Sequence, residues 1–273
     1  MEEITSSCLI LRTRPFGESD IIAVLLSSSV GKLSAIAKGA RRSKRRFTGS
    51  ALEPFGELSV RISRRPGRSL ALLHECRVVQ SYHAIASDLA AYAWGCYLLE
   101  LTEQMTAEAE PCPALYDRLR QTLADLATVA AATSETSGAA PGETSQLGHR
   151  YITALLETAG WGVDFTTCAI CGSAAADITQ PIVDPRGGGM VCARHEAENQ
   201  GIDAEAPDFR PNRRVIFPEL LAYMHALGSG DETLAEAEVL KAADLLLERL
   251  VDHHLTRIPR SRDFLMKVVG SST

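Results

Sequence analysis

A chain of 273 residues, 45% hydrophobic and 23% charged, has the make-up of an ordinary folded protein with room for one large domain or two small ones. Its longest charge-free apolar run, Leu89 to Leu99, falls far short of the roughly 20 residues a membrane helix needs, and Met1-Glu2-Glu3 is acidic where a secretion signal would be basic; a cytoplasmic protein with no membrane contact is expected. The net charge of −6 hides an asymmetry: residues 1–80 hold 14 of the 28 Lys+Arg and 7 of the 34 Asp+Glu, a local +7 against −13 for the remainder.

Up to about Tyr82 the punctuation is that of short strands. Ser7 to Thr13 is apolar, Pro15 to Glu18 reads as a turn, and Ile21 to Leu26 is a continuous apolar run of strand length. Val30-Gly31-Lys32 turns into the loosely alternating Leu33 to Ala37. Leu58 to Ile62 has a clean period of two, and Arg65-Pro66-Gly67-Arg68 is a hairpin-type turn before Leu70 to Val79. Five short strands in 80 residues predict a five-stranded oligonucleotide-binding (OB) barrel over residues 1–80.

Beyond Ala84 the period becomes helical, so the fold class expected is α+β multidomain, with an α-helical domain over residues 81–273. Ser87 or Asp88 caps a helix that is apolar all round through Leu99, as a buried central helix is. Pro113 opens a second, with Leu115, Leu119, Leu123 and Leu126 on one face, running to about Ala132. Residues 133–145, rich in Ser, Thr, Ala and Gly, read as a flexible loop. The next helix carries Leu147, Tyr151 and Leu155 and stops at Gly160, where Trp161 suits a Schellman-type end. Pro218 and Gly228 bracket another, and the last uses Leu240, Ala243, Leu247, Leu250 and Val251 and stops before Pro259.

Two features carry chemistry. An insertion at about 166–197 contains Cys168-x2-Cys171 and Cys192-x2-His195, two ligand pairs on tight knuckles that suit one tetrahedral zinc. Two unrelated pairs of buried cysteines are the plainer alternative. Four protein ligands leave no open position for water, so a structural zinc, one per chain, is expected. The metalloprotease pattern fails because Asn199 stands where its second histidine belongs. The seven cysteines, an odd number, fit thiols and metal ligands in a reducing compartment rather than a disulfide framework.

The other feature is Lys38-Gly-Ala-Arg41-Arg42-Ser-Lys44-Arg45-Arg46-Phe47, six cations within nine residues and no acid among them. A solvated surface loop is one reading. Arg64, Arg65 and Arg68 on a nearby turn, with Arg12 and Arg14, favour a phosphate-binding face, because charges farther apart than a Debye length of about 8–10 Å act largely independently and the local excess decides. Residues 1–80 contain no Trp or Tyr, only Phe16, Phe47 and Phe55, so base stacking is limited and single and double strands should be bound with modest discrimination. No nucleotide-binding P-loop is present, since Gly31-Lys32 lacks the upstream glycine and the following hydroxyl.

Gly17-Glu18-Ser19-Asp20, Gly31 to Arg42 with Phe47, Leu52-Glu53-Pro54-Phe55, and Tyr151 through Gly160-Trp161 into Cys168-x2-Cys171 together resemble one family, the bacterial RecO DNA repair proteins. The resemblance implies an OB domain, a helical domain and, where ligands are kept, a zinc finger. It also implies a non-enzymatic recombination mediator that binds single- and double-stranded DNA and anneals complementary strands. Its implied partners are RecR and the acidic C-terminal tail of single-strand-binding protein; RecA is loaded indirectly, at the nucleoid. For that tail, Arg257, Arg260 and Arg262, next to Phe264 and Leu265, are candidates on composition, with ordinary helix-end solvation as the alternative. A zinc-dependent nuclease or hydrolase acting on nucleic acid and a zinc-bearing RNA-binding factor are the competing functions.

Overall fold

The computed structural model describes residues 2–43, 45–47, 52–65, 67, 70–135, 142–178, 180–184, 189–193, 195, 214–229 and 234–270. Strands β1 (Glu2–Phe16), β2 (Asp20–Ser27), β3 (Gly31–Ala37), β4 (Gly56–Arg64) and β5 (Leu70–Ser81) close a barrel in the order β1-β2-β3-β5-β4. All neighbours are antiparallel except β3 and β5, which is the OB arrangement. Period two does the sorting: Leu33, Ala35 and Ala37 of β3, and Leu58, Val60 and Ile62 of β4, point into one buried cluster with Cys8, Ile10 and Leu25. The thiols of Cys8 and Cys76 lie in that cluster, and burial pushes both up to about 12, so they serve as small apolar side chains.

The middle of β1, Cys8 to Leu11, and β2 from Ile22 to Ser27 are buried on both faces. Leu9, Leu11, Ile22, Val24 and Leu26 are all under 9% exposed although they lie outside the barrel's inner cluster. Helix α1 (Leu89–Met105) packs against β1. This explains why Ile21 to Leu26 reads as a continuous apolar run.

Asp88 is the cap of α1, accepting from the Ala91 N–H at 2.7 Å. Arg12 of β1 forms a bidentate pair with Glu103 of α1, 2.6–3.0 Å, and Lys32 of β3 donates to the carbonyls of Glu103 and Thr106 at the helix's C-terminal end. Gly31 has a φ of +74°, and a Cβ there would lie 2.1 Å from the Glu110 carbonyl oxygen, so only glycine lets the segment after α1 dock on the barrel.

Helices α2 (Pro113–Glu135) and α3 (Glu143–Thr158) leave a shorter connection than the loop expected over residues 133–145. At its front α2 runs on to Glu135, with the Thr133 hydroxyl donating back to the Val129 carbonyl instead of marking a loop. At its rear the buried Trp94 indole needs an acceptor and finds Ser145 Oγ at 3.3 Å, which draws Thr144, Ser145 and Gln146 into the buried start of α3. Residues 136–141 lie outside the described residues. The end of α3 is a full Schellman motif: Trp161 N–H donates to Leu156 O, Gly160 N–H to Glu157 O, and Gly160 has a φ of +78°.

Helix α4 (Pro218–Ser229) begins at Pro218 as expected but runs through Gly228 rather than ending at it. Helix α5 (Ala237–Asp252) is followed by α6 (Arg260–Gly270), which the sequence reading did not identify. The chain packs as two compact units, Met1–Tyr151 with Pro259–Thr273, and Ile152–Ile258. In the first, α1 packs against α6, and Glu100 of α1 caps α6 by accepting from the N–H groups of Arg260 and Ser261 and from the Ser261 hydroxyl. In the second, the short strands β6 (Ile182–Asp184), β7 (Gly189–Val191) and β8 (Arg214–Val215) form a sheet in the order β7-β6-β8. No described helix is long and apolar enough to cross a membrane.

Candidate nucleic-acid interface and metal centre

The basic loop leaves β3 after Ala37 and is fixed at both ends by the fold. At its entry the Gly39 N–H donates to Asp20 Oδ1 at 2.8 Å, and the Arg41 N–H to the Ser19 carbonyl at 3.0 Å. Arg42 and Ser43 turn back onto the Gly39 carbonyl. At its exit Phe47, 6% exposed, plugs the barrel cluster, and the Cys76 N–H of β5 donates to the Arg46 carbonyl at 3.0 Å. Between these anchors Lys38, Arg41, Arg42, Arg45 and Arg46 are all exposed.

Their side chains are not equivalent. Arg46 reaches back to the Lys38 carbonyl at 2.8 Å and to Ser43 Oγ at 3.3 Å, closing the loop, and its guanidinium lies 5.3 Å from the Phe47 ring centroid. Arg41 Nη1 donates to the Glu18 carbonyl at 3.3 Å, and Arg42 Nη2 lies 3.5 Å from Glu18 Oε2. The side chains of Lys38 and Arg45 have no hydrogen bond or ion pair to another described residue. Lys44 and Arg68 lie outside the described residues.

Arg14 is exposed and stands in one cross-barrel row with Ile22 and Ile36, two residues short of Lys38. Arg64, the last residue of β4, and Arg65 are exposed at a different place on the barrel. The next strand, β5, begins at Leu70, opposite Ser34, whereas the basic loop follows Ala37, opposite Leu73, about 10 Å further along the strand. Arg12 belongs instead to the pair with Glu103, which raises the pKa of its guanidinium first through the hydrogen bond. One cation escaped the sequence reading: Arg77 is exposed on β5, directly after the residue on which the Arg46 carbonyl docks. Its signal was only its place in the strand's alternation. Of the three phenylalanines, Phe47 and Phe55 are buried and Phe16 is half exposed.

In the second unit the four sequence-nominated donors converge. The ligand atoms of Cys168, Cys171, Cys192 and His195 all lie within 4.8 Å of one another, with Cys192 Sγ 3.0 Å and Cys168 Sγ 3.8 Å from His195 Nδ1. A tetrahedral ion with bonds of about 2.3 Å to sulfur and about 2.0 Å to nitrogen sets donor separations of about 3.5–3.8 Å, so the cluster takes one ion after shifts of up to about 1 Å, its widest pairs closing and the Cys192–His195 pair opening. Cys168 to Gly172 forms one knuckle, with Gly172 N–H on Cys168 O and a Gly172 φ of +72°; the other closes through His195 N–H on Cys192 O. Burial opposes charge on Cys168, but N–H donors from Cys171, Cys192 and Ile170 aim at its sulfur and the thiol drops to about 6. Its neighbours Ile178, Ile182 and Val191 supply the small apolar core of the module.

The three arginines nominated for an acidic tail divide between the packing units: Arg257 falls in the second, Arg260 and Arg262 in the first. Leu265 is 3% exposed and belongs to the core, so it offers no surface. Phe264 is 37% exposed and meets Tyr92 edge-to-face at 6.2 Å. The N–H groups opening α6, a natural place for an anion, are already taken by Glu100. His254 stacks flat on Trp161, with ring centroids 4.1 Å apart.

Fold and site define the class: an OB-barrel protein with a cationic loop, a C-terminal helical domain and an inserted module with a three-cysteine, one-histidine cluster that could hold a metal ion. The family model described as Recombination protein O N terminal matches residues 1–82, and that described as Recombination protein O C terminal matches residues 86–263. A DNA repair protein RecO of Myxococcus xanthus is 34% identical over 269 residues, spanning 98% of this chain and 99% of its own. Those of Anaeromyxobacter dehalogenans and Bifidobacterium longum are 31% identical over 274 residues and 32% over 256, spanning 98% and 93% of this chain and 98% and 94% of their own. The chain belongs to the RecO family of DNA repair and recombination proteins.

Proposed function

We propose that this chain is a recombination mediator without catalytic chemistry of its own, whose basic loop binds the phosphate backbones of single- and double-stranded DNA. The observation that carries this reading is the anchored loop of exposed cations, of which Lys38 and Arg45 are uncommitted among the described residues. Arg14 on β1 and Arg77 on β5, both exposed, add to the loop's positive charge; Arg64 and Arg65 form a second exposed cationic position, and Lys44 and Arg68 are proposed to contribute on sequence alone. With Phe47 and Phe55 inside the fold, attraction to phosphate outweighs base stacking.

Annealing follows from the same property. A cationic surface that screens two backbones lowers their repulsion, and base pairing supplies the driving force, so no catalytic residue and no ATP are needed. In this reading the chain works with RecR on DNA covered by single-strand-binding protein, whose acidic tail it takes up, and prepares that DNA for RecA. The Cys168, Cys171, Cys192 and His195 donors would hold one zinc, whose contribution is structural because four protein donors complete its tetrahedron. That closed donor set disfavours the nuclease alternative.

The test is annealing of complementary strands coated with single-strand-binding protein, with and without ATP. Annealing by the wild-type chain that is independent of ATP, and lost when Arg41, Arg42 and Arg45 become alanine, supports the mediator. Cleavage of the strands that stops on chelation would replace it with the nuclease.

A further inference from the structure

We propose that the β1–β2 turn, Gly17 to Asp20, is a positioning element for the basic loop: Asp20 fixes the loop's entry, and Glu18 is a resident counter-charge that a DNA phosphate displaces. The inference rests on the loop being the phosphate-binding surface.

Three consecutive residues of the turn each hold one point of the loop's first residues. Asp20 Oδ1 accepts from the Gly39 N–H at 2.8 Å and is itself steadied by the Ser19 hydroxyl at 3.2 Å. The Ser19 carbonyl accepts the Arg41 N–H at 3.0 Å. The Glu18 carbonyl accepts Arg41 Nη1 at 3.3 Å, so the backbone and the guanidinium of Arg41 are pinned by neighbouring residues. Gly39 adopts a φ of +65°, which starts the tight return of Arg42 and Ser43 onto its own carbonyl.

Six cations within nine residues repel one another, and a free segment of that composition would spread in solution. Holding it at its base lowers the ordering cost that would otherwise fall on DNA binding. Glu18 plays a different part. Its carboxylate lies 3.5 Å from Arg42 Nη2, with the two side chains 91% and 73% exposed. Such a pair is weak and screened, so it shields Arg42 until a phosphate with more partners takes its place.

Two acids in one turn are therefore expected to act with opposite signs, which charge alone cannot produce. The measurement is the affinity of the full chain for a labelled single-stranded oligonucleotide across a salt series, alongside a thermal melt. Glu18→Gln tightens binding by about twofold. Asp20→Ala also removes a negative charge, yet it weakens binding by about tenfold, as expected for loss of a hydrogen bond to a charged acceptor, while the salt slope stays near that of wild type. Asp20→Asn, which keeps an acceptor for the Gly39 amide, restores affinity to within about threefold of wild type. A readout without DNA accompanies these: trypsin cleaves after Arg41, Arg42 and Arg45 faster in Asp20→Ala than in wild type. Gly39→Ala strains the other partner of the same bond and reproduces the weakening, which covers the case of an Asp20→Ala chain that does not fold. Asp20→Ala binding as tightly as wild type or tighter, while the Arg41, Arg42 and Arg45 alanine variant loses binding, overturns the positioning role alone. Full binding by that arginine variant overturns the phosphate-binding reading and this inference with it.

Discussion

Changing Arg41, Arg42 and Arg45 to alanine removes three exposed guanidinium groups and leaves Arg46, which closes the loop through Lys38 and Ser43, in place. If Lys38 and these three arginines each meet one phosphate, counterion release gives the loop a slope of log affinity against log salt of about −3.6 on duplex and about −2.8 on single strands. The loop's contribution to duplex affinity then falls about 100-fold between 50 and 200 mM salt. Without the three arginines the slope should shrink by about 2.7 on duplex and about 2.1 on single strands, with the thermal melt unchanged because none of the three side chains is buried. Fluorescence anisotropy titrations at four or more salt concentrations measure this directly. A slope equal to that of wild type refutes the assignment of the loop, however much the affinity itself changes.

The metal centre makes its own prediction: the purified chain carries one equivalent of zinc, and Cys168→Ser or Cys192→Ser loses it with a lower melting transition while the DNA salt slope stays as in wild type. A metal analysis with no zinc in the wild-type chain would sink the site. Gly31→Ala should cost about 2–4 kcal/mol in urea denaturation, because its Cβ would lie 2.1 Å from the Glu110 carbonyl oxygen and its φ is +74°; a cost under about 0.5 kcal/mol contradicts the docking of that segment. His254 supplies a pH effect. Burial, then the charge of His253, lowers its pKa from 6.5, so the unfolded chain binds its proton more readily than the folded one. The stability from keeping it neutral is therefore complete above about pH 6.5 and declines as pH falls through the window below it. His254→Phe, which retains a ring to stack on Trp161, should lose less melting temperature than wild type between pH 7.5 and 5.5, and equal losses would contradict this.

Much of the site was legible in the sequence because its determinants are local. A ligand pair at x2 spacing builds its own knuckle, and both knuckles formed where Cys168, Cys171, Cys192 and His195 placed them. Period-two burial in β3 and β4, the Asp88 cap and the Schellman end at Gly160-Trp161 are equally local. Helix α6 was missed because its amphipathic signal is short and carries four charges; its start is held by Glu100, which lies 160 residues away in the chain.

The cationic loop and the donor set were fixed by residue type and spacing alone, since like charges crowded into nine residues, or thiols paired across two, need no distant partner to declare their chemistry. Which cations are free was decided only by the fold. Arg12 and Arg45 look alike in the sequence, yet one is claimed by Glu103 of α1 and the other is left in solvent. Phe47 could have been a stacking platform until the barrel took it as a plug. A charge or ring acts on a partner only if no nearer group has already satisfied it, and that depends on chain segments brought together from far apart.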